Sequence, residues 1–129
     1  MSWKELAVSK LKEAGLRLTP QRMRLLEVIE KLGPSHPSLK RIFEEVRSEF
    51  PTLSFSTLYS NVLTMKKLGL LEIFHVEGET RIEVNTRPHL NLIDREIKDL
   101  EDPRILKEIE RLIGRRVKLV NVYLESARD

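Results

Sequence analysis

The stretch Ser54 to Leu71, S-F-S-T-L-Y-S-N-V-L-T-M-K-K-L-G-L-L, gathers side chains suited to recognising another molecule. Coiled into a helix, it places Thr57, Ser60, Asn61, Thr64 and Lys67 on one side. Phe55, Leu58, Val62, Met65 and Leu68 fall close to an opposite apolar stripe. A helix fits the major groove of double-stranded DNA, where donors, acceptors and thymine methyls distinguish the base pairs. There Asn61 could make paired hydrogen bonds to adenine, and Ser56, Thr57, Ser60 and Thr64 could bind base edges or phosphates. Tyr59 lies between the two faces; it could pack inside, or lay its ring on a thymine methyl. Arg22, Lys66, Lys67 and Arg81 suit backbone clamps better than readers. The amides at helix starts near Thr19 and Ser54 can also face phosphate.

A second chemistry is limited by what the chain lacks. With no cysteine it has no disulfide, no thiol switch and no thiolate metal site. Any metal must be held by imidazole, carboxylate, amide or water, and there are three histidines, His36, His75 and His89. His75 falls in a β-prone run and is most simply a surface or strand residue. No nucleophile, base and orienting group occur together, which argues against an enzyme.

These residues need elements to hold them. Ser2 with Glu5 forms a capping box for a helix from Trp3 to Ala14, with an apolar stripe of Trp3, Leu6, Val8 and Leu11 and a stop at Gly15. Thr19-Pro20 opens a second helix, which ends at Gly33-Pro34. Ser38 caps a third, running to about Glu49, and Ser54 caps the fourth. After Gly69, two β-prone runs, Leu70 to Val76 and Thr80 to Val84, flank Glu77-Gly78-Glu79 as a hairpin. That order is a winged helix-turn-helix with an extra helix in front. Residues 85–88 read as a linker. His89 to Ile97 reads as one strand, Asp102-Pro103 opens a fifth helix with Ile105, Leu106, Ile109, Leu112 and Ile113 on its apolar face, and Val117 to Leu124 is β-prone.

The expected fold is therefore α/β (α+β): a winged helix-turn-helix DNA-binding domain over residues 1–84, then a small α/β dimerisation domain over 89–129. Residues 1–69 carry 12 Lys+Arg against 7 Asp+Glu, and residues 70–129 carry 11 against 13. A basic first half and a mildly acidic second half suit a nucleic-acid module followed by one with another job. About 40 residues in the order strand, helix, strand cannot bury a good core alone, so a homodimer is expected. No signal peptide or membrane-spanning run is visible, which points to the cytoplasm and to no membrane partner.

Three segments carry a family likeness. G-L-R-L-T-P-Q-R-M-R-L-L-E-V-I at 15–29, H-P-S at 36–38 and F-P-T-L-S-F-S-T-L-Y-S-N-V at 50–62 resemble the ferric uptake regulator (Fur) family, which includes peroxide- and zinc-sensing regulators. The likeness is dense through residue 84 and thinner beyond. It implies a homodimeric, metal-dependent transcription regulator, usually a repressor, acting on a palindromic operator. It also implies DNA-contact roles for Tyr59 and Arg22. The family's regulatory metal site lies between its two domains, and the positions matching its ligands are His36, Glu83 and His89. Where the family has a second histidine in His-x-His, this chain has Asn91. A further carboxylate matches Asp102 by direct register, or Asp99 or Glu101 after a small slip; Asp102 also suits a helix cap. The family's structural zinc site needs two Cys-x-x-Cys pairs. Asp94 and Ile97 stand at the first, and N-V-Y-L-E-S-A offers none at the second, so no four-cysteine structural zinc site can form.

The ligand set implied by the resemblance mixes nitrogen and oxygen. It suits one Mn²⁺, Fe²⁺, Zn²⁺, Ni²⁺ or Co²⁺ per subunit, without choosing among them. Iron-driven oxidation of a bound histidine by peroxide would need no cysteine. Two rival readings stay open: a regulator of the same fold without metal control, and a winged domain used for protein contacts or chromatin architecture.

Overall fold

The structure, a computed structural model, describes residues 1–125 and forms two compact units, one ending at Thr86 and the other beginning at Arg87. The last four positions of the expected second domain, with the Ser-Ala end of N-V-Y-L-E-S-A, lie outside the described residues.

In the first unit, α1 (Trp3–Glu13), α2 (Pro20–Leu32), α3 (Leu39–Glu49) and α4 (Phe55–Lys67) begin at the caps the sequence indicates. Ser2, Thr19, Ser38 and Ser54 each accept a hydrogen bond from the backbone N–H three residues on, satisfying one amide that the helix itself cannot. Leu26, Ile29, Ile42, Leu58, Val62 and Met65 interlock in one core with Leu70, Leu71 and Ile82. Each such side chain contributes roughly 1.5–3 kcal/mol by leaving water. α1 closes this unit: Ala7 and Leu11 are buried, Trp3 Nε1 donates to the Leu70 carbonyl at 2.8 Å, and Lys4 reaches Glu27. Leu6, expected on the inner stripe, is exposed, and Ala7 takes that place because the helix turns its smaller residue toward the core.

The wing is an antiparallel pair, β1 (Glu72–Val76) and β2 (Glu79–Glu83), in register from Glu72 opposite Glu83 to Val76 opposite Glu79. Glu79, expected in the loop, is in the strand. The loop is only Glu77-Gly78, and both residues have positive φ (49° and 78°), the backbone of a type I′ hairpin turn. The segment after α2 joins the wing: Ser38 bridges Arg81, and Ile82 N–H donates to the Pro37 carbonyl at 3.1 Å.

The second unit holds β3 (His89–Ile93), β4 (Ile97–Leu100), α5 (Pro103–Ile113) and β5 (Leu119–Tyr123), with strand order β4-β3-β5. The single strand expected over His89 to Ile97 is instead two. The chain reverses at Asp94, whose carboxylate accepts from Glu96 N–H, so β4 returns antiparallel to β3. β5 lies parallel on the other side of β3, reached through α5. Leu90, Ile93 and Leu106 are the buried apolar side chains of this unit among the described residues, whereas Ile105, Leu112 and Ile113 stay exposed on α5.

Candidate DNA-reading and metal-ligand sites

α4 presents most of the expected reading residues outward. Ser56, Thr57, Ser60, Lys66 and Lys67 are exposed, and Tyr59, Asn61 and Thr64 are half-buried. Ser54 Oγ accepts from Thr57 N–H and donates to Thr57 Oγ1 at 2.9 Å, so the first turn carries a cluster of hydroxyls. Thr64 Oγ1 bonds back to the Ser60 carbonyl. Phe55, expected inward, is 45% exposed at the helix start. It stacks on Tyr59 with centroids 6.5 Å apart and meets Phe43 edge-on. Tyr59 packs one ring face on Phe55 and stays half-open to solvent.

Two expected DNA contacts are engaged within the protein. Asn61 Oδ1 accepts from Arg22 Nε at 2.9 Å, and its Nδ2 donates to the Thr57 carbonyl at 3.0 Å. Each end of the carboxamide expected to pair with adenine thus already has one partner within the protein, with one acceptor lone pair and one N–H remaining. Arg81, expected as a backbone clamp, turns inward: Nη1 donates to the His36 carbonyl and Nη2 bonds Glu79, both at 2.9 Å. The bonds from Arg22 to Asn61 and from Arg81 to His36 carry no local sequence signal, since their partners are 39 and 45 positions apart.

The first unit builds a buried imidazole–carboxylate pair. His36 Nε2 lies 2.6 Å from Glu83 Oε2, and both side chains are almost wholly buried. A 3₁₀ turn, Gly33–Ser35, delivers His36, which itself adopts a left-handed backbone (φ 52°) uncommon for a residue with a side chain. Gly33 makes that path possible: a Cβ there would stand 2.9 Å from Val84 Cγ2. Around the pair, Phe74 meets the His36 ring edge-on, and Asn85 N–H donates to Glu83 Oε1.

The second unit holds the remaining donors. His89 is buried, and its Nδ1 lies 2.7 Å from the Arg87 carbonyl, a contact that makes Nδ1 the protonated nitrogen. Its other ring nitrogen, Nε2, lies 3.7 Å from Asp99 Oδ1. A histidine whose Nδ1 is held by a backbone carbonyl has the ring orientation usual in a metal ligand that binds through Nε2. Asn91, two residues along β3 and fully buried, donates through Nδ2 to Asn121 Oδ1 at 3.2 Å and sits opposite Asp99 in the ladder. Of the three carboxylates the register left open, Glu101 pairs with Arg87. Asp102 caps α5 through Arg104 N–H and also holds the Arg104 side chain. That guanidinium keeps the Asp102 carboxyl below its ordinary value. Asp102 thus serves the helix, and Asp99 is the carboxylate beside His89. His75 meets Thr80 across the wing, as a strand residue should. The described residues supply nitrogen and oxygen donors that fit one divalent metal, and no thiol exists for a structural zinc site.

The model of the ferric uptake regulator family matches residues 13–127. The chain belongs to the ferric uptake regulator family. It is 60% identical over 125 residues to a ferric uptake regulation protein homolog of Archaeoglobus fulgidus, covering 96% of this chain and 98% of that one. It is 32% identical over 112 residues to the peroxide-responsive repressor PerR of Staphylococcus aureus, covering 84% and 74% respectively. The fold matches the Helicobacter pylori ferric uptake regulator with a TM-score of 0.70 at 18% identity, over 95% of this chain and 89% of that one. Like the Fur family as a whole, the chain is a DNA-binding transcription regulator and not an enzyme. It combines a winged helix-turn-helix region with a small β-sheet region. No described helix is long and apolar enough to cross a membrane.

Proposed function

We propose that this Fur-family regulator is a homodimeric repressor whose affinity for a palindromic operator is set by one divalent metal per subunit. The first unit reads DNA through Arg22, Ser56, Thr57, Tyr59, Ser60, Thr64, Lys66 and Lys67, and the second holds the dimer. The candidate ligands of the metal are the side chains of His36, Glu83, His89 and Asp99. Asp102 is left to cap α5. The observation that carries the reading is His89, buried, with Nδ1 committed to a carbonyl and Nε2 facing a carboxylate. The donor set is nitrogen and oxygen without sulfur, so affinity for Mn²⁺, Fe²⁺, Co²⁺, Ni²⁺ and Zn²⁺ rises broadly in the usual order and availability selects among them.

A second reading, regulation without metal, is favoured by one contact. His36 and Glu83 already satisfy each other directly at 2.6 Å, and a shared ion would have to open that pair to metal–ligand bonds of about 2.0–2.2 Å.

The test is a titration of DNA binding with each of the five metals and with chelator, on a duplex that the protein selects from a random pool. The proposal expects at least one metal to tighten binding about fivefold or more, and DNA to tighten metal binding by the same factor. His36→Ala and His89→Ala should each remove the response and leave the dimer intact. Equal affinity with chelator and with every metal would establish the metal-independent reading instead.

A further inference from the structure

α2 begins with a charge in an unfavourable place. Arg22 lies in its first turn, where the helix dipole disfavours a cation, and no acidic residue in that turn offsets it. The side chain is nonetheless fixed at two points. Nε donates to Asn61 Oδ1 at 2.9 Å, and Nη1 donates to the Arg17 carbonyl at 2.8 Å. Asn61 is fixed in turn, because its Nδ2 donates to the Thr57 carbonyl one turn back on α4. The carboxamide cannot flip without exchanging both bonds for mismatched pairs. Nη2 takes part in neither bond, so the guanidinium retains N–H groups for an anion. These groups stand at the electropositive end of α2, beside the row of α4 that carries Thr57 and Asn61.

From this geometry we infer that Asn61 is a positioning residue: it acts on DNA through Arg22, by holding that guanidinium in the orientation that grips a backbone phosphate, and it does not read a base. The inference rests on the DNA-reading assignment of α4. It replaces sequence readout at Asn61 with a sequence-independent contribution. An arginine with four rotatable bonds loses much of its freedom on gripping a phosphate, and the bonds to Asn61 and to the Arg17 carbonyl remove that freedom in advance.

The test uses the full-length protein and two duplexes of equal length. One carries the repeat that the wild-type protein selects from a random pool, and the other is its scrambled form. Affinities are measured across a salt series. Asn61→Ala is expected to weaken both duplexes by the same factor, about tenfold at low salt. The salt slope should fall by about two per dimer, one phosphate for each subunit. Arg22→Ala should do the same, and the double variant should be no weaker than Arg22→Ala alone. Arg22→Lys does not alter α4 and cannot make both fixing bonds; it should also weaken both duplexes equally, which keeps the comparison open if Asn61→Ala folds poorly. A loss at Asn61→Ala confined to the selected duplex, losses that multiply in the double variant, or unchanged binding would each overturn the inference. Failure of the wild-type protein to bind either duplex would instead remove the DNA-reading assignment, and the inference with it, before any variant is compared.

Discussion

Asp99 and Asp102 are three positions apart and chemically alike, yet the fold gives them different work. Asp102 precedes Pro103 at a helix start, accepts the Arg104 N–H and binds the Arg104 side chain. Asp99 projects from β4 toward His89. Substitution should separate them. Asp99→Ala is expected to weaken metal binding at least tenfold, read by metal titration, with little change in unfolding temperature, because it removes the proposed ligand from an exposed strand position. Asp102→Ala should leave metal affinity near wild type and cost about 1 kcal/mol of stability through the lost cap. The reverse pattern would return the ligand role to Asp102. Arg81 belongs to the same scale. It resembles a surface cation in the sequence, but its bond to the His36 carbonyl ties the wing strand to the loop that carries the histidine.

Among elements, the turn between α2 and α3 is the most demanding. Its 3₁₀ geometry, the left-handed His36 and the close approach of Gly33 to Val84 all serve to seat one imidazole against Glu83. Gly33 has an ordinary helical φ of −46°, so its requirement is for space rather than for backbone freedom. Gly33→Ala should therefore destabilise the first unit by about 1–3 kcal/mol through overpacking. Adding Val84→Ala should recover much of that loss in thermal unfolding; no recovery would mean that the constraint lies elsewhere. The contact of α1 with α2 gives a pH signature. Lys4, chiefly, and then Arg24 hold the Glu27 carboxyl below its ordinary value. A lowered folded value stabilises above the ordinary glutamate range and is lost as pH falls through the lowered one. The pair is solvent-exposed, so the effect is small. Protection of the α1 amides, corrected for the pH dependence of intrinsic exchange, should fall on acidification through that window, and Lys4→Ala should flatten the response.

For the whole molecule, the second unit poses the main energetic problem. The three buried apolar side chains among its described residues do not stabilise an independent domain, while Ile105, Leu112 and Ile113 lie open along α5. Leu112 and Ile113 are 69% and 58% exposed, so a second copy is the natural cover for them. Leu112→Glu should shift the protein from dimer toward monomer in sedimentation and lower operator affinity, with the first unit still folded. A dimer unaffected by this change would place the interface on another face. Without cysteine, no thiolate-bound zinc can staple the dimer, so apolar burial and ion pairs are expected to hold it.

Local chemistry was sufficient for the sequence to determine the helices and the wing. Caps such as Thr19-Pro20 and Asp102-Pro103, apolar stripes and the Glu77-Gly78 turn act over a few residues, so α1 to α5 and the wing were legible. The break in the expected strand over His89 to Ile97 was not, because the reversal at Asp94 contains neither glycine nor proline. The resemblance to the Fur family, densest through residue 84, gave His36, Glu83 and His89 as candidates. Tertiary structure decided which groups meet: Asn61 with Arg22, Arg81 with the His36 carbonyl, and Asp99 rather than Asp102 with His89. The reason is physical. Helix caps and periodicity are set by neighbours in the chain, whereas a side chain's partner is set by which elements pack together and in what register, and no short stretch of sequence records that.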